Sequence, residues 1–221
     1  TDAYDPMEKA MLRCCEAHGI SRESLFSNEF VREYAFTNER KMMGHVWRKG
    51  GRLVVAAKGS PERILTLCSL TDKARCAAEE QIQALSSQGL RVIAIAAAHP
   101  ENEAAIPAAI TDCRLTLLGL VGLADPPRES VKNDIAVCNR AGIRVVMITG
   151  DNGITASAIA QKIGVPGSDN IITGEALEAM SDEELRGAVK TASIFSRVIP
   201  AHKMRIVKAF QENGAIVAMT G

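Results

Sequence analysis

Apolar and polar positions alternate with a period of two over residues 30–36. Phe30, Arg32, Tyr34 and Phe36 share one face, and Val31, Glu33 and Ala35 the other. That alternation predicts a half-buried strand. Residues 42–47 and 53–57 flank Lys49-Gly50-Gly51-Arg52. A glycine pair between two strand patterns predicts a hairpin, because the tight turn needs positive φ. Asp5-Pro6 predicts a helix start, with Asp5 as N-cap and proline in the first turn. Met7, Ala10, Met11, Cys14 and Cys15 form its apolar face, and Gly19 ends it. Lys58-Gly59-Ser60-Pro61-Glu62 turns a strand into a helix that continues over 63–68. A longer helix follows over 72–87, closed by Gly89, and then a strand over 90–96. Residues 99–112 contain Pro100 and Pro107, show no period, and read as a loop. Residues 1–112 are thus predicted to form one antiparallel α+β domain.

Beyond Arg114 apolar runs alternate with helical periodicity. The runs are 115–123, 145–148, 171–172, 193–198 and 215–219. Helices are predicted over 129–141, 153–163 and 200–213, with Gly142 and Gly164 closing the first two. Residues 177–180 suit a helical turn, and Ser181-Asp182-Glu183-Glu184 a capping box. Such alternation predicts a parallel sheet with helices on both faces. Residues 113–221 therefore read as a second, Rossmann-like domain, making the chain α/β. The run Val145-Val146-Met147-Ile148 suits a strand covered on both faces. It leads into Thr149-Gly150-Asp151 at the carboxyl edge, where sites form in such sheets.

Charge narrows the function. Lysine plus arginine equals aspartate plus glutamate, 26 each, which argues against a nucleic-acid groove driven by bulk charge. Aromatics make up 4% of the chain, too few for a platform that stacks single-stranded nucleic acid. The six cysteines form no C-x-x-C pair, so neither a zinc site nor a disulfide framework is expected. Buried thiols in a reducing cytosol are the simpler reading. The longest apolar run, 92–98, falls far short of the ~20 residues of a membrane span. No signal-peptide pattern is visible, and the sequence reads as soluble.

Several residues could carry chemistry. Thr149 could bind phosphate through its hydroxyl, with Gly150 leaving the backbone open and the following helix offering free amides. Asp151 as a plain helix cap fits the same spacing. Lys203 lies in a first helical turn, after Ile199-Pro200-Ala201-His202. A lysine there opposes the helix dipole and is usually just solvated, yet its ammonium could neutralise a phosphoryl group. Asp125 ends the predicted strand before Pro126-Pro127, as a turn aspartate or as a member of the same edge. Phe36 could stack on a base, and Lys58 and Arg91 could meet phosphate oxygens. Taken singly, Phe36 suits a core and the two cations an exposed surface. Glu8 lies off the apolar stripe of its helix, as a solvated first-turn carboxylate would. No G-x-x-x-x-G-K-[ST] loop occurs, which excludes a P-loop mechanism.

Taken together, Asp5-Pro6-Met7-Glu8, Phe36, Lys58-Gly59-Ser60-Pro61-Glu62, Arg91, Asp125-Pro126-Pro127-Arg128, Met147-Ile148-Thr149-Gly150-Asp151 and Pro200-Ala201-His202-Lys203 resemble the cytoplasmic part of the P-type cation-transporting ATPases. They follow that family's order and span nearly the whole chain. The calcium-pump-like, type II branch is the most similar. The pairing of D-P-P-R with P-x-H-K fits that branch or the proton pumps.

The resemblance implies a nucleotide-binding domain followed by an incomplete phosphorylation domain of the haloacid-dehalogenase type. By resemblance, Phe36 stacks on adenine, Glu8 contacts its edge, Lys58 lines the pocket and Arg91 reaches the phosphates. Thr149, Gly150 and Lys203 hold the transferring phosphoryl group, and Asp151 orients the site. Asp125 and Arg128 couple the two domains. ATP and Mg2+ are the implied cofactors. The implied partners are the parent protein's own membrane helices and actuator domain, at the cytoplasmic face of a membrane, with no nucleic acid. Two departures stand out. The D-K-T-G-T motif of the phosphorylated aspartate is absent, and the sequence stops where T-G-D-G-V-N-D, with its magnesium ligands, would continue. No metal ligand is therefore expected here, and this stretch alone is expected to bind nucleotide without turnover. Two alternatives are a soluble dehalogenase-type phosphatase and a non-catalytic nucleotide-binding module. The first needs an Asp-x-Asp at a strand end, which the sequence lacks; the second has no use for Thr149 and Lys203.

Overall fold

The structure, a computed structural model, describes residues 5–220. The chain divides into two compact units. One runs through Ile82 and adds Val92–Leu123; the other takes Gln83–Arg91 and everything from Ala124 on.

The first unit is built on a five-stranded sheet. Its strands β1 (Glu29–Tyr34), β2 (Met42–Lys49), β3 (Arg52–Gly59), β4 (Arg91–Ala98) and β5 (Thr116–Leu123) lie side by side in chain order. Strands β1 to β4 pair antiparallel in succession. Lys49 pairs with Arg52 across the expected two-residue hairpin. Gly50 and Gly51 there take φ of 55° and 77°, a left-handed pair that glycine adopts without strain. Helices α1 (Pro6–Ala17), α2 (Arg22–Phe26), α3 (Pro61–Leu67) and α4 (Asp72–Ser86) belong to this unit, the last residues of α4 falling in the second unit. Asp5 caps α1, its Oδ1 accepting from Met7 N at 2.8 Å. The core gathers Val46, Val55, Ile64, Ala94, Ala96, Ile110 and Leu115.

Three expectations change here. The alternation of β1 breaks at a bulge between Phe30 and Arg32. One extra residue shifts the parity of everything after it. Tyr34 is therefore buried, while Phe30, of the same parity, is exposed. Residues 99–112 do form a connection, but Ile106 and Ile110 from it enter the core. Tyr34 Oη donates to Pro107 O at 2.6 Å and fixes it there. Thirdly, the run ending at Leu123 joins this sheet next to β4 instead of opening the parallel one. Leu115 N donates to Leu67 O, and Leu117 and Leu120 pack on the first core. An apolar run states that a strand is covered, not which sheet covers it.

The second unit holds α5 (Val131–Arg140), β6 (Met147–Ile148), α6 (Gly153–Ile163), β7 (Ile171–Thr173), α7 (Gly174–Ala179), α8 (Asp182–Ala188), β8 (Ile194–Ser196) and α9 (Pro200–Glu212). The strands form a parallel sheet in the order β6-β8-β7. Successive residues of the middle strand serve opposite faces. Phe195 packs with Leu177, Leu185, Val189 and Ile206, and Ile194 with Ile135, Ala156, Ala160 and Ile163. Helices thus cover both faces.

This sheet is smaller than the pattern predicts. Residues 145–148 are half-buried rather than enclosed, because β6 is an edge strand of two residues. Residues 215–219 form no strand, and Ile216 is fully exposed. Ala215 N donates back to Phe210 O, and no described strand pairs with this segment.

Ser181 and Glu184 cap α8 reciprocally, as the sequence predicts. Glu184 N donates to Ser181 Oγ at 3.2 Å, and Ser181 N donates to Glu184 Oε2 at 2.8 Å. Ser181→Ala is expected to cost about 1 kcal/mol in urea unfolding. The Ser181 backbone and hydroxyl hold the Glu184 carboxyl below its usual range. A depressed carboxylate stabilises above its unfolded pKa and loses that contribution as pH falls through the folded one. Acidification should therefore remove only the part of the Ser181→Ala loss that comes from Ser181 Oγ donating to Glu184 Oε2, and leave the part from the Glu184 N cap.

Candidate functional site

In the first unit, Lys58 is placed by β3, where it pairs with Met43 on one side and Ile95 on the other. Glu8 lies in the first turn of α1. Lys58 Nζ donates to Glu8 Oε1 at 2.7 Å, with the side chains 25% and 31% exposed. Glu8 is therefore a paired, half-buried carboxylate and not a freely solvated one. Gly59 follows Lys58 because nothing larger fits. A Cβ there would stand 2.7 Å from Lys41 O and 2.8 Å from Met42 Cα, both backbone atoms. Phe36 lies beyond the end of β1, 55% exposed. A core role for its ring is thereby overturned.

In the second unit, β6 ends against β8 through Thr149 N, which donates to Phe195 O at 2.9 Å. The chain then turns tightly: Asp151 N donates to Thr149 Oγ1 at 3.1 Å, and Thr149 Oγ1 lies 3.4 Å from Asp151 Oδ2. Gly150 between them is exposed and faces open space. Asp151 is not the helix cap. Asn152 caps α6, its Oδ1 accepting from Thr155 N at 2.8 Å. That leaves the Asp151 carboxylate to face Arg91, whose Nε lies 3.8 Å from Asp151 Oδ1. Arg91 belongs to the second unit, within residues 83–91. Asn152 Nδ2 to Ser86 Oγ, Thr155 Oγ1 to Leu90 O and Lys162 Nζ to Gln88 O tie that segment to α6.

The connection after β8 lies against the same turn. Arg197 N donates to Asp151 O at 3.0 Å, and Val198 N to Thr149 O at 3.3 Å. Arg197 takes φ of 56°, a left-handed conformation uncommon outside glycine. Its side chain gives no sequence cue for that geometry. Pro200 then starts α9, placing exposed Lys203 in its first turn. His202 beside it is buried, with Nε2 3.2 Å from Glu178 Oε1. Sequence reasoning missed Asn152, Arg197 and His202. Only Asn152 had a local signal, as an Asn directly before a predicted helix.

The structure thus joins Glu8 to Lys58, and Thr149 to Asp151 and Arg91. Asp125 and Arg128 lie exposed in the irregular segment before α5. Among the described residues, no three His, Cys, Asp or Glu side chains gather as a metal ion would require. These residues do not fit a resident Mg2+, and no step is assigned to one.

Among the described residues no helix is long and apolar enough to cross a membrane. Residues 3–130 match the family model for the P-type ATPase cytoplasmic domain N. A calcium-transporting ATPase of Bacillus subtilis is 38% identical over 231 residues, covering 98% of this chain and 26% of that protein. A probable cation-transporting ATPase F of Mycobacterium bovis is 38% identical over 237 residues, covering 98% and 26%. The endoplasmic reticulum calcium ATPase srcA of Aspergillus fumigatus is 37% identical over 235 residues, covering 95% and 24%. The chain spans about a quarter of the length of these relatives. It belongs to the P-type ATPase family and contains the family's cytoplasmic domain N.

Proposed function

We propose that this chain is the nucleotide-handling part of an ATP-driven cation pump. In this reading the first unit binds the adenosine end of ATP. Phe36 offers an exposed ring to adenine, and Glu8 and Lys58 contact the base beside it. Arg91 meets phosphate oxygens. In the second unit Thr149, Gly150 and the open amides before α6 cradle the transferring phosphoryl group, with Asp151 orienting the turn. Lys203 offsets its charge as a point cation. Asp125 and Arg128 couple this chemistry to the rest of the protein. The acceptor is an aspartate outside this chain, within a sheet of the haloacid-dehalogenase type of which β6, β8 and β7 are part. Positioning and charge neutralisation supply most of the rate in such transfers. In the parent protein, Mg2+ would be held by residues other than these and would supply charge neutralisation for the phosphates, and membrane helices and an actuator domain are the partners.

The observation that carries the reading is the Lys58–Glu8 pair at 2.7 Å, partly open to solvent and joining residues 50 positions apart. It leaves a lysine and a carboxylate poised to exchange each other for a polar ligand edge. The test is an ATP titration of this chain followed by Trp47 fluorescence and backbone chemical shifts. Phe36→Ala and Lys58→Ala should each weaken binding about tenfold, or ~1.4 kcal/mol. Unchanged affinity in both variants would remove the adenine assignment. Phosphatase turnover by this chain would overturn the assignment of the acceptor to another part of the protein.

A further inference from the structure

The first turn of α9 is held in an unusual way. Its N-cap, Ile199, has no side-chain acceptor to offer the turn, and Pro200 has no N–H to satisfy. His202 supplies the missing part. Its Nδ1 accepts from Ile199 N at 3.3 Å, and its own N donates to Ile199 O at 3.0 Å. With Nδ1 accepting, the ring proton sits on Nε2 and is donated to Glu178 Oε1 at 3.2 Å. The ring is 5% exposed although it begins a helix on the surface. Both its nitrogens are satisfied, as burial of a polar ring requires.

The position that His202 occupies, third in the helix, is where a capping box ordinarily carries Glu or Gln. Helix α8 of the same unit has Glu184 there. In α9 the next residue is Lys203. A carboxylate at 202 would cap equally well but would put a negative charge beside that ammonium and at the helix end that attracts anions. The neutral imidazole makes the backbone contact without the charge.

We propose that His202 is a positioning residue for phosphoryl binding: an uncharged cap that locks the first turn of α9 and leaves the charge of Lys203 unopposed. This rests on the reading of Lys203 as a phosphoryl ligand. The imidazole acts through Lys203 and the turn, and touches no reacting atom. The pair with Glu178 on α7 fixes which nitrogen accepts. The Ile199 N–H is the group that reports the lock.

The test uses the 221-residue chain with inorganic phosphate as probe, followed by chemical shifts of Thr149, Gly150 and Lys203. Hydrogen exchange of the Ile199 amide is measured in parallel. His202→Gln, a neutral box residue, should keep Ile199 protection and phosphate affinity within about twofold of wild type. His202→Glu is made with Glu178→Gln, so that two carboxylates do not face each other. It should keep Ile199 protection but bind phosphate about tenfold more weakly, the loss one opposing charge produces. His202→Ala should lose Ile199 protection by about tenfold, as an absent cap predicts. Tight phosphate binding by the His202→Glu variant, with Lys203→Ala weakened, would overturn this proposal alone. Unchanged phosphate shifts in Lys203→Ala would overturn the phosphoryl reading of Lys203 and this proposal with it. Full Ile199 protection in His202→Ala would show that the imidazole caps nothing.

Discussion

Phe195→Ala is expected to destabilise the second unit by about 3–5 kcal/mol, the range for a large aromatic removed from a core that cannot collapse. Phe195 is fully buried in the middle strand of the parallel sheet. Its ring packs edge-on to Phe210 at 6.5 Å and touches the cluster built from α7, α8 and α9. The surrounding elements have little freedom to fill the gap. Arg205 of α9 donates to Leu177 O and Met180 O at 2.9 and 2.8 Å, fixing the end of α7. Arg144 donates to Val189 O and Lys190 O, both at 2.9 Å, and lies over the Phe210 ring. The cavity therefore stays open. Urea unfolding, read by amide signals of Leu185 and Ile206, should show the loss in this unit. A cost under about 1 kcal/mol would mean that the three helices close over the vacancy.

The sequence foretold elements wherever a local residue dictates backbone geometry. Asp5-Pro6, Gly50-Gly51, Gly164 and Ser181 with Glu184 each cap or turn as their chemistry demands, and each is found doing so. Partnership was less legible. The run ending at Leu123 carries the same apolar signal whichever sheet it joins, and the choice depends on Leu67 and β4, which are distant in sequence. Residues 215–219 have strand composition without a described strand to pair with. The bulge at Val31 shifted the faces of β1 with no glycine or proline to announce it. The same division runs through the candidate site. Thr149 and Asp151 were readable because a strand end and a helix start bracket them. The bond between Lys58 and Glu8 joins two elements whose register no local pattern encodes. Nothing local marks His202, because its ring meets Ile199 N and Glu178 on another helix.

Gly174→Ala should cost about 2 kcal/mol and disturb the Thr149–Asp151 turn although residue 174 carries no functional group. Gly174 opens α7, and its Cα faces the left-handed Arg197. A Cβ there would run into the Arg197 carbonyl, standing 3.0 Å from its carbon and closer to its oxygen, and 3.3 Å from His202 Cε1. A backbone carbonyl cannot rotate aside as a flexible side chain can, so the connection after β8 has to move. Alanine's better helix propensity returns at most ~1 kcal/mol, too little to offset the overlap. The displaced segment holds Arg197 N to Asp151 O and Val198 N to Thr149 O, so its movement loosens the turn after β6 as well. Gly187→Ala in α8 is the matched control. Nothing lies within 4 Å of the added methyl there, and it should stabilise by ~0.5–1 kcal/mol. Chemical-shift changes at Thr149, Asp151 and His202 should accompany the loss in Gly174→Ala and be absent in Gly187→Ala. Equal stability of the two variants would show that the Arg197 connection yields freely, and that the turn it supports is not held by it.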